Sequence, residues 1–227
     1  MKEFRLKALE IYDNMPMPSW GPDLTDLNMD NIVTYVRPDT DIKHNWRDVP
    51  KDIKNTFDLL GIPKAEQKSL AGVGAQYDSE VVYHNVREDL KKQGVLYMDM
   101  ETAIRDYEEL VRPHFMKLVP PTDHKFAALH GAVWSGGSGQ FEHTLIIVEK
   151  GAKIHYIEGC SAPKYYVNNL HAGCVEVYIR EGASLKYSTI ENWSRNMYNL
   201  NTKRAVVDKN GHIEWVTGSF GSKVSML

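Results

Sequence analysis

The chain has 227 residues, 42% of them hydrophobic and 25% charged, which is enough apolar material for one large or two small cores. Its 27 basic and 30 acidic side chains leave a formal charge of −3, so a broad basic footprint for nucleic acid or an anionic membrane surface is not expected. No apolar run approaches the roughly 18 residues of a membrane span, the start Met1-Lys2-Glu3-Phe4-Arg5 lacks a signal-peptide core, and two cysteines suit a reducing compartment; the expectation is a cytoplasmic protein.

In chain order, Phe4, Ala8, Ile11 and Tyr12 fall on one face of a first helix, and Met15-Pro16-Met17-Pro18-Ser19-Trp20-Gly21-Pro22 then excludes regular structure. Ile53, Phe57 and Leu60 recur at helical spacing between Pro50 and the stop at Gly61, and a third helix candidate follows Pro63. A fourth runs from Asp99 as N-cap through Ile104, Tyr107 and Val111 to Pro113. Pro120-Pro121-Thr122-Asp123 reads as the boundary between a helical or mixed N-terminal domain, 1–122, and a β-rich domain, 123–227.

The second half is built by repetition. Ile147 to Tyr156 aligns without gaps on Tyr178 to Tyr187, and Val206 to Trp215 is a third copy. Each copy is a β-rich run, a charged dipeptide feeding a small-residue turn, and an alternating run that ends on an aromatic residue. Recurrence at about thirty residues points to a stacked β-architecture, because no copy could bury its apolar face alone.

Cys160 lies at a strand end, with Glu158 two residues back on the same face. A thiolate beside a carboxylate can hold iron or zinc, although a free cysteine more often behaves as a small buried hydrophobe. His171, with Glu176 beyond it, is the nearest base for a nucleophilic cysteine, in a spacing that matches no cysteine-hydrolase signature. The histidines at 124, 130, 143, 155, 171 and 212 stand singly in strands or at their edges, with no His-x-x-x-His pair, and read as hydrogen-bonded strand residues. Trp134, Trp193 and Trp215 read as core or rim aromatics, and Ser135-Gly136-Gly137-Ser138-Gly139 as a connector lacking the lysine of a phosphate loop.

Several longer motifs together resemble the SufB/SufD family, the scaffold subunits of the Suf iron–sulfur cluster assembly system. They are Met17-Pro18-Ser19-Trp20-Gly21-Pro22, Gly72-Val73-Gly74-Ala75-Gln76-Tyr77, Gly139-Gln140-Phe141-Glu142-His143, Glu158-Gly159-Cys160-Ser161-Ala162-Pro163, Asn169-Leu170-His171, Glu191-Asn192-Trp193-Ser194 and Tyr198-Asn199-Leu200-Asn201-Thr202-Lys203-Arg204. The resemblance, closest to the SufB type, implies an α+β chain: a helical N-terminal region followed by a right-handed parallel β-helix, here incomplete. It implies a scaffold rather than an enzyme, with ATP hydrolysis in a SufC-type ABC ATPase partner. It further implies pairing with a SufD-type subunit or a second SufB-type subunit, sulfur delivered as persulfide by a cysteine desulfurase system, and a transient iron–sulfur cluster, none of it assigned to this chain alone. Carried over by position, Cys160 is the sulfur acceptor and Glu191, Trp193 and Lys203 line the sulfur route, with a neighbouring ammonium favouring the thiolate. Cys174 is expected to be structural.

The chain departs from the family pattern in two places. Roughly two dozen residues, about one turn of the repeat, are missing after Ser138, among them an Arg-x-Asn pair of the same route. The chain also stops at Leu227, within the β-helix, so the usual cluster ligands, the subunit-pairing strands and the ATPase-docking helices lie outside it and its metal ligands are unknown. Glu191 stands where some relatives have Gln. The alternative is a stand-alone β-solenoid binding module or carbohydrate-active protein, which would need an exposed aromatic or paired-carboxylate track that the strands do not display.

Overall fold

A computed structural model describes residues 1–35, 39, 41–43, 45–51, 54–55, 72–77, 80–136, 140–161 and 168–227. The first helix, α1 (Lys2–Asn14), buries Ala8 and packs along a helix at Lys125–Val133. A Cβ on Gly131 of that second helix would lie 3.0 Å from the Ala8 Cβ and 3.1 Å from Pro121 Cγ, so the absence of a side chain there sets how closely the two helices approach. The helix expected between Pro50 and Leu60 falls largely outside the described residues, and the one after Pro63 wholly so.

Three features of the first half differ from expectation. Gly72–Tyr77 (β1) and Glu80–Val86 (β2) form an antiparallel pair, within the part read as helical or mixed but where no strand was singled out. A short helix, α2 (Glu88–Lys91), follows. The helix capped by Asp99, whose side chain accepts from Thr102 N at 2.8 Å, does not run on to Pro113. It ends as α3 (Met100–Asp106), breaks at Tyr107 with φ −134° and ψ 40°, and resumes as α4 (Glu108–Val111). The break turns Val111, Phe115, Met116 and Val119 into one buried cluster with Trp134 and Cys174.

The Lys125–Val133 helix, α5, lies inside the segment read as β-rich, where no helix was expected. Its run Phe126 to Gly131 is buried on every side, so no polar face marks it by periodicity. His130 is therefore helical and Trp134 is a helix C-cap, where strand positions were expected.

Nine strands follow: β3 (His143–Val148), β4 (Lys153–Ser161), β5 (Asn169–His171), β6 (Cys174–Ile179), β7 (Ser184–Asn192), β8 (Met197–Leu200), β9 (Thr202–Val207), β10 (His212–Phe220) and β11 (Val224–Met226). They form three parallel three-stranded sheets, β3-β6-β9, β4-β7-β10 and β5-β8-β11, so each pass of the chain adds one strand to each sheet. Neighbours in sequence lie in different sheets, and pairing occurs only between passes. The register is that of the repeat alignment: Ile147, Tyr178 and Val206 stand side by side, as do Tyr156, Tyr187 and Trp215. The molecule is thus a mixed helix-and-strand fold with parallel sheets.

Alternation divides the side chains. Val175, Val177 and Ile179 of β6 join Val148, Ala183, Leu185 and Tyr187 in an apolar cluster. Their neighbours Cys174, Glu176 and Tyr178 are buried on the opposite face, under residues 107–119. There Glu176 accepts from the backbone N–H groups of Met116 (2.5 Å), Leu118 (2.6 Å) and Val119 (3.0 Å), tying the irregular segment to the sheet. Leu170, Tyr198 and Leu200 meet Phe126, Leu129 and Phe141 in a third cluster.

Candidate functional site

Cys160 is the penultimate residue of β4, at the end of the strand. Its register partner on β7 is Glu191, and Ser219 of β10 continues that row. Two positions back the row is Glu158, Thr189 and Thr217, and two further back Tyr156, Tyr187 and Trp215. The period of two puts all of these on one face, so the apolar layer around Leu185 and Tyr187 gives way to a polar stretch at the C-terminal ends of the strands.

Glu191 is fully buried and held from three directions. Asn199 Nδ2 donates to its Oε2 at 2.7 Å, Trp193 Nε1 reaches the same oxygen at 3.4 Å, and Asn201 Nδ2 reaches Oε1 at 3.4 Å. Trp193 also stacks on His171, with centroids 4.4 Å apart. The imidazole of His171 sits between acceptors: Nδ1 lies 2.7 Å from Asn199 Oδ1, and Nε2 lies 2.8 Å from both oxygens of Glu142. Burial alone would lower the His171 pKa, but the Glu142 charge and the hydrogen bonds to Glu142 and Asn199 outweigh it and raise it. Both ring nitrogens thus face acceptors, an arrangement that favours the doubly protonated ring. Glu142, His171, Asn199 and Glu191 form one continuous chain of hydrogen bonds.

Lys203 enters from β9. Its Nζ donates to Thr189 Oγ1 at 3.0 Å and lies 5.0 Å from the centre of the Tyr187 ring. The Tyr187 hydroxyl donates to Glu158 Oε2 at 2.8 Å. Burial and the Glu142 charge push the Glu158 carboxyl above its usual range, against the pull of Lys203. The four residues expected from the sequence, Cys160, Glu191, Trp193 and Lys203, are thus brought together in one buried polar region.

The thiol is not in the state expected for it. Burial pushes the Cys160 pKa well above its ordinary 9.0, and Glu158, Glu142 and Glu191 push it further; Lys203 pulls it down but is outweighed. The residue as a whole is only partly buried, since β4 is an outer strand, but the carboxylates act in the same direction as burial. Cys160 rests as a protonated thiol.

Sequence reasoning missed Glu142, Asn199 and Asn201 and gave His171 a different role. Each lies within a motif already singled out, but their meeting depends on strand register, which their spacing does not reveal.

Comparison with known proteins decides the kinship. Residues 132–227 match the family described as SUF system FeS cluster assembly, SufBD core domain. Over its whole length the chain is 50% identical to the iron-sulfur cluster assembly protein SufB of Bacillus subtilis. It is 48% identical to iron-sulfur cluster assembly SufBD family proteins of Staphylococcus haemolyticus and Staphylococcus aureus. The chain belongs to the SufB/SufD family.

This SufB/SufD chain spans 54% of the length of each of those relatives. The matches run over 251 residues against the 227 of the chain, a difference of 24 and so of the size of the segment found absent after Ser138. Among the described residues, no helix is long and apolar enough to cross a membrane.

Proposed function

We propose that this chain is the sulfur-accepting part of a SufB-type scaffold for iron–sulfur cluster assembly, with Cys160 as the acceptor. The nine strands are read as three turns of an incomplete right-handed parallel β-helix, and the polar region around Cys160 as a stretch of its interior through which sulfur passes. The observation that carries the proposal is the pairing of Cys160 with Glu191 on adjacent strands, inside a buried polar region that Trp193 and Lys203 also enter. Kinship with SufB supports it independently.

In the proposed step the Cys160 sulfur attacks the outer sulfur of a donor cysteine persulfide. The donor S–S bond breaks, a new one forms on Cys160, and the donor cysteine leaves as thiolate; one sulfur atom moves with no net redox change. Because Cys160 rests protonated, its proton must leave as it attacks. Glu158, on the same face and with a raised pKa, takes that proton and passes it to the departing thiolate. Lys203 compensates the negative charge that develops. Glu191 and Trp193 line the onward route.

The proposed partners are a cysteine desulfurase system as donor, a SufC-type ABC ATPase, and a SufD-type or second SufB-type subunit. The cluster is cargo assembled by the complex. Labelled sulfur tests the assignment: Cys160→Ser, nearly isosteric, is expected to lose acceptance more than tenfold while keeping its fold, and Cys174→Ala to retain it. Wild-type labelling of the Cys160→Ser chain would remove Cys160 from the acceptor role.

A further inference from the structure

A second cluster lies on the opposite face of β3 and β6 from the polar interior. His143 and Cys174 are register partners at the starts of these strands, so their side chains project together. α5 crosses above them and adds His130. All three residues are buried, and one ligand-type atom from each lies within 4.8 Å of the others.

Hydrogen-bond accounting leaves a gap at the centre of this cluster. His130 Nδ1 lies 3.1 Å from the Ala172 carbonyl oxygen, which can only accept, so Nδ1 carries a proton and Nε2 of the neutral ring has a bare lone pair. His143 Nε2 lies 3.2 Å from Glu176 Oε2, at ion-pair distance though not at a good hydrogen-bond angle. That carboxylate already accepts three backbone N–H groups, so a proton on Nε2 is the arrangement that avoids facing a lone pair with anionic oxygen. With one proton on the His143 ring, Nδ1 is then bare as well. The two bare nitrogens, His130 Nε2 and His143 Nδ1, face each other at 3.0 Å. Something positive belongs between them.

A shared proton would satisfy the nitrogens and leave Cys174 without a part. A metal ion uses all three. In a tetrahedral zinc site with bonds of about 2.0–2.1 Å to nitrogen and about 2.3 Å to sulfur, ligand atoms stand roughly 3.3–3.7 Å apart, so the two nitrogens, now 3.0 Å apart, would part slightly and the Cys174 sulfur would close in from its present place within 4.8 Å of them. The outer partners also fit: metal-bound histidines donate their remote N–H to a carbonyl or a carboxylate, the roles Ala172 and Glu176 fill here. A cavity of about 10 Å³, about the size of one water, adjoins His130 and Cys174.

We infer that His130 Nε2, His143 Nδ1 and Cys174 Sγ form a structural site for a borderline divalent metal ion such as zinc, pinning α5 to the sheet. The site shares no residue with the Cys160 region and does not depend on the function proposed for it.

The metal-free chain titrated with cobalt(II), as a coloured substitute for zinc, tests this. One equivalent is expected to bind with a thiolate-to-cobalt charge-transfer band that Cys174→Ser abolishes and Cys160→Ser keeps. No binding by the folded wild type, or a band that follows Cys160 instead, would overturn the inference. Zinc-edge X-ray absorption of the wild type is independent of any variant's folding. A shell containing one sulfur and two imidazoles is expected, and a shell of nitrogen and oxygen alone would refute the site.

Discussion

Cys160 combines a nucleophilic atom with surroundings that suppress its nucleophilicity. Burial and three carboxylates favour its protonated form, which is less readily oxidised than a thiolate. Alkylation with iodoacetamide reads this directly: in the folded chain Cys160 should become reactive only at pH well above its ordinary 9.0, and after unfolding in urea it should follow that ordinary value. Glu191→Gln removes one of the carboxylate charges, so at a fixed mildly alkaline pH it should speed Cys160 alkylation; an unchanged or slower rate would mean that Glu191 does not act on the thiol. The linkage sign is the same for the neighbouring phenols. Cys160, Tyr156 and Tyr187 all have raised pKa values, so their contribution to stability is complete below the unfolded values and is lost as pH rises through the folded ones. At this scale the sequence identified the residues whose motifs are long and specific. It could not reveal the Glu142–His171–Asn199–Glu191 chain, or the meeting of His130 with His143, because those contacts arise from pairing between strands and from a helix folded over a sheet.

The repeats became elements in the register their alignment anticipates, for a reason visible at the corners. Gly151 and Gly182 occupy the same position of successive copies with φ of 72° and 66°, and the third copy places Asn210 there with φ 58°. Glycine takes this conformation freely, and asparagine tolerates it better than most residues. A Cβ at Gly182 would touch nothing within 4 Å, so Gly182→Ala probes the backbone alone. It should cost about 1–2 kcal/mol in urea unfolding, while Asn210→Gly stays within about 0.5 kcal/mol of wild type. Equal, negligible effects of both changes would show that the corners do not depend on that conformation. α5 and the β1–β2 pair were not legible: α5 is apolar all round, and β1 is half glycine and alanine with no strong alternation to mark it.

For the whole molecule, stacking in three sheets leaves β9, β10 and β11 as outer strands whose main-chain edges have no further partner among the described residues. Their side chains are apolar and exposed in places, including Val216 and, at 62%, Phe220. Open parallel edges of this kind recruit other strands. The isolated chain should scatter light as species heavier than its 25.9 kDa, and Val216→Lys should shift it toward monomer; a monodisperse monomer at high concentration would contradict this. At this scale the sequence conveyed stacked strands and kinship, and the structure adds how residues 107–119 and α5 lie against the outer faces of the sheets.

The central claim is that Cys160 accepts sulfur, and peptide mass spectrometry of the intact chain after incubation with a cysteine desulfurase and cysteine tests it most directly. The expected result is one added sulfur on the peptide containing Cys160 and none on the peptide containing Cys174. A folded chain that carries no sulfur on Cys160, or carries it on Cys174 instead, would contradict the claim.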